Sequence, residues 1–156
     1  MHTFKDIAGT EWTVSLSISA MERIRDMAGV DMLLVNQGRF TDVVRIGGDL
    51  VLFRNVLHAA CHPQAMERGV GLVAFGDLLA GESIGAAHQA FLGAIHSFIQ
   101  DPWIRTALTR VLEKHAELRD QVKATMEKAV DEALAEMQSG ATSLSAQAPS
   151  ASTPAP

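Results

Sequence analysis

The stretch from Leu50 to Cys61 constrains the fold more than any other part of the chain. It reads LVLFRNVLHAAC, and only three polar residues interrupt its apolar ones. A helix that is apolar on nearly every side is normally buried, and about 12 residues are too few to cross a bilayer. Asp49 can cap its start, and Pro63 can end it because proline cannot continue the hydrogen-bond ladder. We therefore predict a central helix around which one small domain packs.

The composition excludes several classes of protein. The 156 residues carry a formal net charge of −5 and contain no run of basic residues, whereas general nucleic-acid binding needs a concentrated basic surface. No segment has the pattern of a secretory signal or of a membrane span. The single cysteine permits no internal disulfide, which fits a reducing compartment. We therefore expect a cytoplasmic protein that binds neither nucleic acid nor membrane.

The N-terminus has the pattern of a β-hairpin. Two candidate strands, His2–Lys5 and Glu11–Leu16, flank a connection that contains Gly9, which can supply the positive φ of a hairpin loop. Trp12 and Val14 alternate with polar residues and share one face. Two strands alone are marginal in water. The apolar face must therefore cover helices, or the free edge must pair with another chain, and both interpretations stay open.

Short helices fill the middle of the chain. A capping box at Ser19 predicts a helix that ends at Gly29, and a second short helix is predicted over residues 72–79. The segment from Pro63 to Gly71 has the pattern of a loop, and parts of residues 30–48 are ambiguous. A longer helix covers residues 82–99, where apolar residues recur at intervals of three and four.

The last helix is the most informative element for function. Its pattern runs from Pro102 to about Gln138, and Asp101 is a suitable N-cap. An unbroken helix of this length measures about 55 Å, which exceeds the diameter of about 40 Å expected for the compact domain. The helix must therefore extend beyond the domain, or break and fold back. In the first case its apolar stripe is available to another protein or to a second copy in a homo-oligomer. The predicted partner-binding residues are Leu108, Val111, Leu118, Val122, Met126 and Val130.

The chain thus divides into three parts. A mainly α domain, with the small hairpin packed on its helices, covers residues 1–100, and the long amphipathic helix covers residues 101–138. Residues 139–156 consist almost entirely of Ser, Ala, Thr, Gln, Gly and Pro. Such a segment cannot bury enough apolar surface to offset its ordering entropy. We therefore predict a disordered tail.

No arrangement of residues matches a catalytic motif, so we predict neither an enzyme nor a bound cofactor. The strongest chemical alternative is a metal site at His58, Cys61 and His62. Their spacing of three and four can bring side chains together on a helix, and histidine with cysteine suits zinc. A fourth ligand is not evident. The other interpretation is a buried cysteine with two histidines near a helix end.

Several segments of the first domain together resemble a known family. They are TFKDxxGxxWTV at residues 3–14, IRDxxGVDxL at 24–33, CxPQAxxRGV at 61–70 and FGxxLAG at 75–81. This combination resembles small proteins encoded in the tail-morphogenesis regions of tailed phages and related prophages. In size and layout the chain is similar to tail assembly chaperones. The resemblance covers residues 3–100 and carries over no site residue.

The resemblance implies a helper in virion morphogenesis. Such a protein coats the long, apolar tape-measure protein before the tail polymerises, helps recruit tail-tube subunits and is absent from the finished particle. The role needs no catalytic residue, but it needs an apolar helical face and a tendency to associate. The alternative functions are a structural tail-completion or connector subunit and the small metal-binding protein described above.

Overall fold

The computed structural model describes residues 2–144, and side chains are described for residues 2–140. Strands β1 (His2–Lys5) and β2 (Glu11–Val14) come first, and a 3₁₀ helix at Met32–Gln37 lies between the first two α-helices. The α-helices are α1 (Ile18–Ala28), α2 (Thr41–Gly48), α3 (Leu50–Ala60), α4 (His62–Glu67), α5 (Leu72–Asp77), α6 (Glu82–Phe98) and α7 (Pro102–Leu144). The predicted fold, mainly α with an N-terminal hairpin and a long last helix, is confirmed.

The chain groups into two compact units, Met1–Glu113 and Lys114–Pro156, and the division falls inside α7. The first unit contains the hairpin, α1 to α6 and the first turns of α7. The second unit, as far as it is described, is the remainder of α7. The division lies after the start of α7 because Leu108, in its second turn, belongs to the core of the first unit.

The predicted disordered tail begins at residue 139, but residues 139–144 are the last turns of α7. The hydroxyl of Ser139 donates to the carbonyl of Ala135, as serine does inside a helix. No proline occurs between Pro102 and Pro149, so nothing in these turns removes a backbone donor. The remainder of the predicted tail, residues 145–156, lies outside the described residues.

Helix α3 is the centre of the first unit, as predicted. Asp49 caps it, since its Oδ1 accepts hydrogen bonds from the N–H groups of Val51 and Leu52 at 3.0 and 2.9 Å. The helix packs against α1, α2, α4 and α5. Its fully or nearly fully buried residues are Leu52, Phe53, Val56, Leu57, His58, Ala59 and Ala60. These residues supply the middle of the continuous core.

Two features of α3 differ from the prediction. Leu50 and Val51 are exposed, while His58, one of the three polar residues that interrupt the apolar stretch, is buried. Pro63 does not lead into a loop, because it lies in the first turn of α4. Proline is favoured there, since its missing N–H would have no helical partner at that position.

The structure also gives the cap of α1 and the elements of the segment whose pattern was ambiguous. α1 is capped by Ser17 and not by Ser19, because Ser17 has the extended backbone of an N-cap and its hydroxyl accepts from Ala20 N–H at 3.2 Å. Gly29 ends α1 with a φ of 67°, as predicted. Within residues 30–48, the structure has the 3₁₀ helix at Met32–Gln37 and α2 at Thr41–Gly48.

The hairpin covers the helical core. β1 and β2 are antiparallel, with Phe4 opposite Trp12, and both rings are buried. The Trp12 ring meets the Phe75 ring edge to face, with centroids 4.9 Å apart. β1 lies on α6, where a Cβ added at Gly93 would come within 2.5 Å of His2 Nδ1. Glycine in α6 therefore permits the close approach of β1.

The outer edge of β2 is closed by side chains of α4 and the residue that follows it. Gln64 Oε1 accepts from Thr13 N–H at 3.0 Å, and Gln64 Nε2 donates to the Thr13 carbonyl at 2.7 Å. Arg68 Nη1 donates to the Glu11 carbonyl at 2.9 Å. Gln64 thus bonds the strand as a neighbouring strand would. The structure favours a sheet that covers the core over an edge that pairs with another chain.

Replacing Gln64 with alanine should destabilise the first unit by about 1–3 kcal/mol, because the Thr13 N–H would lose its partner and its carbonyl would keep only a weak thiol donor. Urea unfolding followed by circular dichroism measures this change. The control is Gln89→Ala, an exposed glutamine on α6, which should change stability by less than about 0.5 kcal/mol. Equal effects of the two substitutions would contradict the role of Gln64 in closing the edge of β2.

Candidate functional site: the exposed apolar face of the last helix

Helix α7 is continuous from Pro102 to Leu144. The alternative in which the helix breaks and folds back is therefore wrong. Asp101 Oδ1 accepts from Trp103 N–H at 2.8 Å, which confirms the predicted N-cap. Every residue from Ala116 to Gly140 is exposed, so this part of the helix buries none of its apolar side chains within the described chain.

The structure separates the six predicted partner-binding residues into two groups. Leu108 is fully buried in the core of the first unit, so it cannot contact a partner and its place in the site was wrong. The spacing of apolar residues is the same in the buried and the exposed turns, and spacing alone could not distinguish them. Val111 lies between the buried and the exposed residues of the row, with 36% of its surface exposed. The other four are well exposed; they are Leu118, Val122, Met126 and Val130.

The exposed row is longer than predicted. Leu134 and Met137 continue it, and across the row the exposed fraction ranges from 50% at Leu118 to 71% at Met137. The same spacing rule would have placed both residues in the site. We call this row the α7 face; it consists of Leu118, Val122, Met126, Val130, Leu134 and Met137.

Charged residues border the α7 face and pair within the helix. The ion pairs are Lys114–Glu117 at 2.9 Å, Lys123–Glu127 at 3.8 Å and Lys128–Glu132 at 3.8 Å. All six side chains are exposed, and such pairs contribute only a few tenths of a kcal/mol each. They support the helix locally and leave the face open.

The three residues of the predicted metal alternative do not form a ligand set. The rings of His58 and His62 lie 5.8 Å apart, edge to face, and Cys61 Sγ donates instead to the Thr13 carbonyl at 3.6 Å. Burial raises the pKa of the Cys61 thiol to about 12, and burial lowers the pKa of His58. No group of three potential ligands within residues 2–140 is placed to hold a metal ion. Cys61 is therefore best described as a buried cysteine of the core.

A histidine–serine contact in the first unit has the geometry of a base beside a nucleophile. His2 Nε2 lies 2.8 Å from Ser97 Oγ, which is the distance required between a base and a nucleophile. A nucleophilic pair also needs a third group that orients the ring, and no described carboxylate bonds to His2. The contact is explained by its position, since it ties β1 to α6.

An exposed indole at the start of α7 has no counterpart in the prediction. Trp103 is 73% exposed and lies beside the apolar stripe, so periodicity gave no reason to select it. A smaller apolar patch at Leu50, Val51 and Val73 borders a groove of about 280 Å³ between α3 and α5. Arg54 and Asp77 also line this groove, and the Arg54 guanidinium donates to Asn55 Oδ1 at 2.9 Å.

Comparison with known proteins adds no family to this description. The chain matches no family model, no curated protein and no solved structure. Among the described helices, none is long and apolar enough to cross a membrane.

Proposed function

We propose that this protein is an assembly chaperone of the phage-tail type, which holds an apolar segment of a tape-measure protein on the α7 face until tail-tube subunits assemble. The observation that carries the proposal is the row of six apolar side chains, each at least half exposed, on the part of α7 from Ala116 to Gly140, where every residue is exposed. The resemblance of residues 3–100 to tail assembly chaperones supports the choice of partner.

The dimensions of the α7 face suit a helical client. Leu118 and Met137 are 19 residues apart, which corresponds to about 29 Å of helix. Each step of four residues advances about 40° around the helix, so an amphipathic client helix that crosses α7 obliquely can follow the row with anchors at every third or fourth residue. Contiguous apolar surface of this kind commonly marks an interaction site in a soluble protein.

The residue types also suit a long client whose contacting segments differ in sequence. Met126 and Met137 are unbranched and flexible, so they can adapt to side chains of different shape. The charged border keeps the helix hydrated when no client is bound. Binding of a client through apolar side chains alone also agrees with a role that needs no catalytic residue.

Charge placed on the α7 face should abolish client binding. The test variant combines Val122→Glu with Met126→Glu, and it is co-expressed with a phage tape-measure protein as the client. Burying each apolar side chain contributes about 1.5 kcal/mol, and burying an unpaired carboxylate costs more. Recovery of the client in a pull-down should therefore fall at least about tenfold.

The matched control adds the same charge to another side of the same helix. Ala124→Glu with Ala135→Glu changes two exposed residues that lie away from the α7 face, and it should leave client recovery unchanged. Circular dichroism checks that both variants keep their helix. Equal recovery with the two variants would refute the proposal. Mass spectrometry of purified particles tests the alternative, since a tail-completion subunit stays in the particle and a chaperone leaves it.

A further inference from the structure

We propose that, without a client, the side of α7 that carries four residues of the α7 face, Leu118, Val122, Met126 and Met137, is covered by the α7 helix of a second copy of this chain, and that the two helices are antiparallel. The inference goes beyond the proposed function, because it concerns the protein alone. It requires only residues 114–137, which are described and, apart from the half-buried His115, exposed.

The first argument is the spacing of the residues that would lie at the interface. They are His115, Leu118, Val122, Met126, Ala129, Ala133 and Met137, at successive intervals of three, four and four. This is an 11-residue repeat of about 3.67 residues per turn, close to the 3.6 of a straight α-helix. The residues therefore stay on one side of the helix, and two such helices can remain in contact over about 33 Å.

The second argument is the distribution of large and small residues. When the helices are antiparallel about Met126, Leu118 of one copy lies opposite Ala133 of the other, and Val122 lies opposite Ala129. Large side chains thus meet small ones, which gives even packing along the interface. In a parallel pair every residue lies opposite its own equivalent. Ala129 would then face Ala129 and Ala133 would face Ala133, while the larger side chains elsewhere in the interface would hold the two helices too far apart for these alanines to touch.

The third argument is charge complementarity. Residues 114–125 contain three basic and two acidic side chains, whereas residues 126–137 contain one basic and four acidic side chains. Antiparallel pairing places the first segment of one copy against the second segment of the other. Parallel pairing places the two acidic segments together, which is unfavourable.

One pair of residues distinguishes the two orientations. At 100° per residue, Lys114 and Glu136 flank the same side of the interface at its opposite ends. In the antiparallel arrangement Lys114 of each copy therefore meets Glu136 of the other, twice in the dimer. In the parallel arrangement Lys114 faces Arg119 of the second copy, so the two basic residues repel each other.

Sedimentation velocity of the purified full-length chain over a concentration series tests the association itself. The wild type should form a dimer, Met126→Glu should remain monomeric, and Ala124→Glu should dimerise as the wild type does. Met126 lies at the centre of the interface and Ala124 lies on the other side of the helix. A wild type that stays monomeric, or equal behaviour of the two variants, would overturn the proposal.

Charge reversal tests the orientation. Lys114→Glu and Glu136→Lys should each raise the dimer dissociation constant about tenfold, because each converts two attractive pairs into repulsive ones. The double variant should return to within about twofold of the wild type. A Lys114→Glu variant with an unchanged or lower dissociation constant would overturn the antiparallel arrangement.

The outcomes for the dimer and for the chaperone role are separable. The sedimentation experiments contain no client, so a chain that fails to dimerise leaves the pull-down result standing. Lys114→Glu keeps every residue of the α7 face. If both proposals are correct, this variant should capture the client at least as well as the wild type, because the second copy competes less for the face.

Discussion

Replacing Asp6 with alanine is expected to destabilise the first unit by about 3–5 kcal/mol. The buried carboxylate organises the hairpin connection: Oδ1 accepts from the N–H groups of Ala8 and Thr10 at 2.9 and 2.8 Å, and Oδ2 accepts from Trp12 Nε1–H at 2.8 Å. Each hydrogen bond to a charged group contributes about 1.5–3 kcal/mol, and the three are not additive. Alanine would remove the acceptor of all three N–H donors.

The control for Asp6→Ala is Asp26→Ala, which removes an exposed carboxylate from α1 and should change stability by less than about 0.5 kcal/mol. Urea unfolding followed by circular dichroism measures both. If Asp6→Ala and Asp26→Ala unfold at the same urea concentration, the organising role assigned to Asp6 is incorrect.

The same carboxylate should make stability depend on pH in acid. Burial alone would raise the pKa of Asp6, but the hydrogen bonds from Trp12, Thr10 and Ala8 outweigh it, and the folded pKa lies below the ordinary 3.8. The stabilisation is therefore complete above pH 3.8 and is lost as pH falls through the folded value. Asp6→Asn cannot titrate, so it should lose less stability than the wild type over that window.

Replacing Phe53 with alanine should cost about 3–5 kcal/mol. Phe53 is 1% exposed, and its ring lies 5.9 Å from the Phe91 ring and 3.7 Å from the His88 ring, centroid to centroid. These contacts join α3 to α6, and truncation would leave a cavity between them. If the destabilisation is larger still, Phe53→Ala should show no cooperative unfolding transition at all.

Two further variants keep the Phe53 prediction testable if Phe53→Ala does not fold. Phe53→Leu retains most of the volume and should cost about 1–1.5 kcal/mol. Leu50→Ala shortens a residue of the same helix that is 58% exposed, and it should cost less than about 1 kcal/mol. A Phe53→Leu variant no less stable than the wild type would contradict the packing described for α3 and α6.

The elements predicted correctly are those with a strong local pattern. The hairpin, α6 and α7 each combine a periodic run with a recognisable start or end, such as the loop glycine Gly9 or the cap at Asp101. The segment that follows α3 was wrongly predicted to be a loop, because the same proline that stops one helix is also favoured in the first turn of the next, as Pro63 shows.

The features that were missed depend on contacts between distant parts of the chain. Gln64 bonds Thr13 across 51 residues, and neither residue carries a local signal of the other. His58 is buried against Val70 and Phe75, although its residue type predicts a polar edge. Leu108 has the same spacing as the residues of the α7 face, and only tertiary packing reveals that it is in the core.

The closed edge of β2 has a consequence for the behaviour of this protein at high concentration. An open strand edge can act as a template on which identical chains stack into cross-β fibrils. An incoming strand would first have to displace the Gln64 amide and the Arg68 guanidinium from the backbone of β2. Fibril growth from this edge would therefore require local unfolding around α4, which gives the folded hairpin protection against amyloid-type aggregation.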